Sequence, residues 1–248
     1  MLLRLSSATA CLLLQVLVVS IGYGKAYEIP GDEETDVDLL TPLENLINTD
    51  PRVYRTKGLD GLPAVGIQRG VEIVVPYRIY LPRKFYRNFA IVASIKPKDD
   101  QGGYLFAVVN AFDTVVDLGL HLSPAGRAQT NVSLVYTDSQ TESSSTVIAS
   151  FLVPAFTNQW TQLAVEVSGD NVALYFRCMR FATRQVRRTP MQLQMDDASK
   201  LYIANAGPII GNGFELVTVY SAFLLNGVDR AVITVFLGGY IGIVIRCV

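Results

Sequence analysis

The residues of this chain best suited to chemistry are its cations. Segment 77–87, YRIYLPRKFYR, interleaves Arg78, Arg83, Lys84 and Arg87 with aromatic rings. A second group, Arg177, Arg180, Arg184, Arg187 and Arg188, falls within twelve residues. A guanidinium offers paired N–H donors that match the oxygens of sulfate and carboxylate. The candidate anion-binding residues are therefore Arg83, Lys84, Arg87, Arg180, Arg184, Arg187 and Arg188. The competing reading is a solvated face carrying scattered charges. The two readings differ in whether the groups meet in space, which spacing alone leaves open.

Other chemistries find weaker support. The single histidine, His121, sits inside a strand pattern at 118–122 and reads as a sheet residue, not a base. Glycoside cleavage needs two carboxylates across one cleft. Glu166 is alone on its strand, and Asp196 and Asp197 point to opposite sides of an extended segment. No catalytic residue is assigned, and a non-enzymatic protein is expected. Asp99, Asp100, Asp113 and Asp138 are candidates for calcium, which takes roughly six to eight converging oxygens. Their spacing does not supply that convergence, so no metal ligand and no cofactor is assigned. Two lone cysteines and one histidine make no zinc site. Asn131-Val132-Ser133 is an N-glycosylation sequon.

Residues 1–24 have the form of a secretory signal peptide. Arg4 supplies the charged end, 10–21 the apolar run, and Gly22 and Gly24 the small residues before cleavage. The mature chain is expected to begin near Lys25 or Tyr27; an uncleaved anchor is the other reading. Cleavage removes Cys11 and leaves Cys178 and Cys247 in a compartment that permits disulfides. An extracellular polyanion such as heparan sulfate then suits the arginines better than nucleic acid does.

Charge divides the rest. Residues 25–51 hold eight acids against Lys25 alone, whereas 52–200 hold seventeen basic residues against twelve acids. The chain's formal charge of −1 hides this reversal. Segment 31–38 reads as disordered. At 38–47, Leu39, Leu40, Leu43, Leu46 and Ile47 share one helical face, with Thr41 as N-cap ahead of Pro42. A short helix lying on the sheet is expected there.

Beyond residue 52, short alternating runs predict strands at 64–67, 73–75, 89–95, 104–110, 117–123, 132–137, 147–153, 160–168, 172–177 and 201–205. Gly169-Asp170 forms a two-residue hairpin connection. In 160–168, Leu163, Val165 and Val167 share one oily face, and a half-buried strand opened by a buried Trp160 is expected. Cys178 has the parity of Leu174 and Phe176 and is expected to point into the core. Many short strands with little helix indicate an all-β sandwich. The tail, 215–248, is apolar. Its stretch 231–245 has no charge and, as a helix, spans about 22 Å, short of a hydrocarbon core of roughly 30 Å. Its β-branched residues and Gly238-Gly239 favour strand, so a membrane partner is not expected. Segment 216–223 should form a last strand, with the remainder poorly accommodated and leaving an apolar patch that favours association.

The run AFTNQWTQLAVEVSGDNVALYFRC, ending at Cys178, resembles the F-x-x-x-W-T-x-L-A-x-x-V-x-G-x-x-V-A-L-Y-x-x-C segment of thrombospondin N-terminal-like domains, a laminin-G-like branch of the β-sandwiches. The resemblance is closest to the amino-terminal domains of type XV and XVIII collagens. It continues through GYLFA at 103–107, LGLHLS at 118–123, VYTD at 135–138 and LYIANAG at 201–207, covering roughly 40–214. It implies a laminin-G-like, concanavalin-like jelly roll over 52–214, and a secreted matrix module binding glycosaminoglycan and matrix proteins. It also implies a disulfide at Cys178, for which Cys247 is the candidate partner if the chain end folds back. The chain departs from the family at Arg177, where an acid is usual, and in its tail. Two alternatives stay open: a lectin-fold carbohydrate-active enzyme, and a membrane-attached adhesion protein held by the tail.

Overall fold

The structure is a computed structural model that describes residues 37–126, 128–211 and 213–226. The chain divides into two compact units, Met1–Glu33 and Glu34–Val248, and the described residues belong to the second. The signal segment, Cys247 and the 231–245 run lie outside the described residues.

Alternating sequence becomes fourteen strands among the described residues. They are β1 Val37–Asp38, β2 Val53–Lys57, β3 Pro63–Gln68, β4 Val74–Pro76, β5 Phe89–Pro97, β6 Gly103–Val109 and β7 Val116–Pro124. β8 Gln129–Tyr136, β9 Val147–Pro154, β10 Thr161–Ser168, β11 Asn171–Phe176, β12 Met179–Gln185, β13 Lys200–Ile203 and β14 Leu216–Asn226 follow. One helical turn, α1 Gly207–Ile210, precedes β14. One sheet runs β12-β11-β10-β5-β14-β3-β2, with β1 beside β14; the other runs β4-β13-β6-β7-β8-β9. All pairings are antiparallel. The inner faces supply the core: Leu163, Val165 and Val167 of β10 lie beside Ala93, Ile91 and Phe89 of β5. Phe106, Phe151 and Leu120 meet them from the other sheet. This all-β, laminin-G-like jelly roll agrees with the sequence reading.

Several local expectations are corrected. The 38–47 helix is reduced to a 3-10 turn, Thr41–Leu43, followed by further turns. Thr41 caps nothing; the Asp38 carboxylate accepts the Leu40 N–H at 2.8 Å instead. Leu39 and Leu43 are buried, so the apolar face still docks. Val37 and Asp38, read as disordered, pair with Leu224 and Phe223. The last strand runs to Asn226 and occupies the middle of its sheet, between β5 and β3.

Trp160 is only half-buried and lies just before β10, outside the core. Truncating a fully buried Trp costs about 3–5 kcal/mol; for Trp160→Ala we expect about 2 kcal/mol, in proportion to the surface it hides. A urea-midpoint loss as large as that of Phe151→Ala would overturn this expectation.

Cys178 does not continue β11. Phe176 pairs with Met179, so Arg177 and Cys178 form a two-residue turn at φ +49° and +65°. Positive φ at both centres matches the right-handed twist of the flanking strands. It also ends the strand's alternation, so Cys178 packs against the outer face of the sheet and not into the core. Cys178 is disulfide-bonded. The expectation of a half-buried β10 fails too: Gln162, Ala164 and Glu166, on the face away from the core, are buried as well as Leu163 and Val165 on the core side.

Candidate functional site

The site is built on segment 82–88, which leads into β5. Phe85 is fully buried, with its ring centroid 5.0 Å from those of Tyr86 and Phe89. The Phe85 N–H donates to the Leu193 carbonyl at 2.8 Å, and the Met195 N–H to the Arg83 carbonyl at 3.2 Å. Lys84 bridges to Gln194 between them. Anchoring rings and backbone in this way leaves Lys84 and Arg87 exposed.

Arg188 joins the two basic groups, though not as a ligand residue. It is 3% exposed. Its Nη2 donates to the Arg87 carbonyl at 2.7 Å and to the Gly169 carbonyl at 3.0 Å, and its guanidinium lies 5.2 Å from the Tyr136 ring centroid. Burial removes it from the set of anion-binding candidates. The same contacts bring its neighbour Arg187, which is exposed, to the Arg87 segment. The turn at Gly169 is further tied by the Val186 N–H to Asp170 O and by the Gly169 N–H to Asn88 Oδ1. Arg184 pairs with Val172, close to that turn.

The remaining candidates separate. Arg83 and Arg78 both bind the Asp197 carboxylate. Hydrogen bonding from Arg83 chiefly holds Asp197 below the usual carboxylate range. Arg83 is therefore already paired and is corrected out of the free set. Arg180 pairs with Tyr175, whose side chain belongs to the outer-face cluster, whereas Arg184 pairs with Val172, whose side chain faces the core. Paired residues of an antiparallel ladder share a face. A β-bulge, with Phe181 as the extra residue, thus sends Arg180 and Arg184 to opposite sides of β12. Lys84, Arg87, Arg184 and Arg187 remain, exposed and without an ion pair among the described residues; the backbone contacts bring Arg87, Arg184 and Arg187 to one end of the β10–β11 hairpin, with Lys84 on the segment that carries Arg87.

The acids do not converge. Asp113 accepts from Lys200 Nζ at 2.5 Å and from the Tyr202 hydroxyl at 2.8 Å. Asp99 and Asp138 accept the N–H groups of Gln101 and Gln140 two residues on. No group of three metal-ligating side chains occurs among the described residues. Glu166 is buried and accepts from the Tyr175 hydroxyl at 2.9 Å. His121 stacks 4.5 Å from Tyr104 on a sheet face, and burial lowers its pKa. An open groove of about 470 Å³ between β4 and the 197–202 segment includes Glu72, Asp197, Lys200 and Tyr202. Asn131 lies within β8; its Nδ2 donates to Ser133 Oγ at 3.2 Å, and its Oδ1 accepts from Ser150 Oγ at 2.6 Å. A glycan on Nδ2 would compete with the donation to Ser133 Oγ.

No helix among the described residues is long and apolar enough to cross a membrane. No known family model matches the chain. It is 35% identical over 130 residues to the human collagen alpha-1(XVIII) chain, covering 52% of this chain and 7% of that collagen. Among solved structures, the binding domain of botulinum neurotoxin serotype D is 10% identical, with a TM-score of 0.50 over 85% of this chain and 48% of that one. The ligand-binding domain of that serotype, solved with N-acetylneuraminic acid, is likewise 10% identical, with a TM-score of 0.50 over 75% and 44%. The heptameric SAP-like pentraxin of Limulus polyphemus is 16% identical, with a TM-score of 0.46 over 64% and 73%. At such identities the two botulinum neurotoxin domains bear on fold alone. The chain has the fold of a jelly roll and is similar over about half its length to the human collagen alpha-1(XVIII) chain, of which it spans a small part.

Proposed function

We propose that this chain is a non-enzymatic module of the extracellular matrix that holds a sulfated glycosaminoglycan, heparan sulfate or a close relative, together with matrix proteins. Lys84, Arg87, Arg184 and Arg187 are the glycan-contacting residues. The carrying observation is the grouping of Arg87, Arg184 and Arg187 around the β10–β11 turn, with Arg188 as the internal brace and Lys84 on the same segment as Arg87. Four exposed cations without an ion pair among the described residues suit a repeating polyanion, and guanidinium forks suit its sulfates. The similarity to a collagen supports the matrix setting.

Neutralising these four residues together should lower the salt at which the protein leaves a heparin column, since exposed charges act over roughly 8 Å at physiological ionic strength. Melting should barely change, because exposed charges contribute about 0–1 kcal/mol each. Neutralising Arg83 and Arg180 should shift elution less. Equal elution of the quadruple variant and the parent would reject the site.

A further inference from the structure

One face of the larger sheet is buried without a described partner. Away from the core, β10 presents Gln162, Ala164 and Glu166, and β5 presents Ser94, Val92 and Ala90 beside them. Their exposures are 8%, 0% and 6%, then 1%, 0% and 0%. Tyr175 of β11 and Leu225 of β14 flank this face at 8% and 1%. An antiparallel sheet with one solvated face wets the serine, glutamine and glutamate on that face. Among the described residues, the apolar cluster here draws only on the sheet's own strands, with Cys178 packed against it. Ser94 and Ser221, cross-strand neighbours on it, each have a buried hydroxyl with no hydrogen-bond partner among the described residues.

We propose that the carboxy-terminal segment 227–248 covers this face and is fastened to it by a Cys178–Cys247 disulfide. The chain leaves β14 at Asn226, beside Phe89 at one end of the sheet. Cys178 lies toward the other end, past the row in which Gln162, Ser94 and Ser221 align. It is disulfide-bonded, and the chain's other cysteines are Cys11 and Cys247. Five residues along a strand and three strand spacings separate the two points, about 22 Å diagonally. The twenty residues 227–246 reach up to about 66 Å extended. The segment therefore has length to cross the face and turn back on it. Its uncharged stretch 231–245 suits the alanines and Val92, and its backbone groups suit the two serine hydroxyls. On this reading the apolar tail is an interior layer of the domain, not an association patch.

The test uses the full secreted chain first. Non-reducing peptide mapping should find Cys178 joined to Cys247; a free Cys178, or a bond to Cys11 or to a second molecule, overturns the proposal. Hydroxyl-radical footprinting should then find Tyr175, Phe223 and Leu225 protected at every protein concentration. Truncation after Asn226 should raise their labelling several-fold while Phe151 and Leu163 stay protected. If that variant does not fold, full-length Cys247→Ser should give a smaller rise at the same three residues. Unchanged labelling, protection that requires high protein concentration, or opening of the face on removal of residues 1–33 each rejects the tail as the cover.

Discussion

Replacing Arg188 with alanine is expected to lower stability by about 3 kcal/mol. The side chain is enclosed and its Nη2 serves two carbonyls, those of Arg87 and Gly169. Hydrogen bonds from a charged donor contribute about 1.5–3 kcal/mol each, and truncation leaves both acceptors unpaired. The contact with the Tyr136 ring adds about 2 kcal/mol where water is excluded. Against this stands the desolvation of a guanidinium whose Nε and Nη1 have no partner among the described residues. That cost brings the net loss well below the summed gains. Arg188→Met should lose less than Arg188→Ala because it refills the volume. Arg188→Lys should fall between wild type and alanine, keeping one donor but not the fork. Urea midpoints order the series; alanine within 1 kcal/mol of wild type would contradict the brace.

Asp117→Asn is expected to stabilise the protein by about 2 kcal/mol at pH 7 and by little at pH 4. Asp117 is 2% exposed at the start of β7. One carboxylate oxygen accepts the Ser139 N–H at 3.2 Å, and the other is buried without a partner among the described residues. Burial, helped by the nearby Asp138 and Asp196, pushes its pKa up to about 6, against the lowering effect of Ser139. A folded-state pKa above the unfolded value near 3.8 means that the folded state holds the proton more tightly. This contribution is full below about pH 4, is lost as pH rises toward 6, and stays lost above it. A shift of about two units corresponds to roughly 2–3 kcal/mol. Asparagine keeps the acceptor for Ser139 and carries no charge to desolvate. Denaturation of both proteins at pH 4 and pH 7 measures the effect. An equal difference at the two pH values would mean that ionisation is not its source.

The strands with one oily face were readable because burial imposes period two on them. β5, β7, β10 and β11 emerge from that pattern within a residue or two. β12 did not, since Ala182 alone among Met179–Gln185 escapes full exposure and no apolar face exists to detect. β1 and β2 are short pieces whose partners, β14 and β3, are contributed by distant or neighbouring segments. The second buried face of β10 was hidden for a different reason. Gln162 and Glu166 are polar, and only their surroundings make that face an interior. The binding surface was half legible. Arg187 and Arg188 are adjacent and identical in type, yet one is solvated and the other enclosed. Nothing local distinguishes them; carbonyls nineteen and 101 residues away do. Likewise, Asp197 claims Arg83 from more than a hundred positions away.

The bulge that parts Arg180 from Arg184 has a bearing on self-association. A regular edge strand offers evenly spaced donors and acceptors, onto which a strand of another molecule can zip. On β12 the extra Phe181 breaks that spacing and increases the local twist. An arginine projects from each side, so a second copy approaching edge to edge meets like charge whichever way it lies. Two such modules held close together misregister and repel along β12, and each keeps its own sheet.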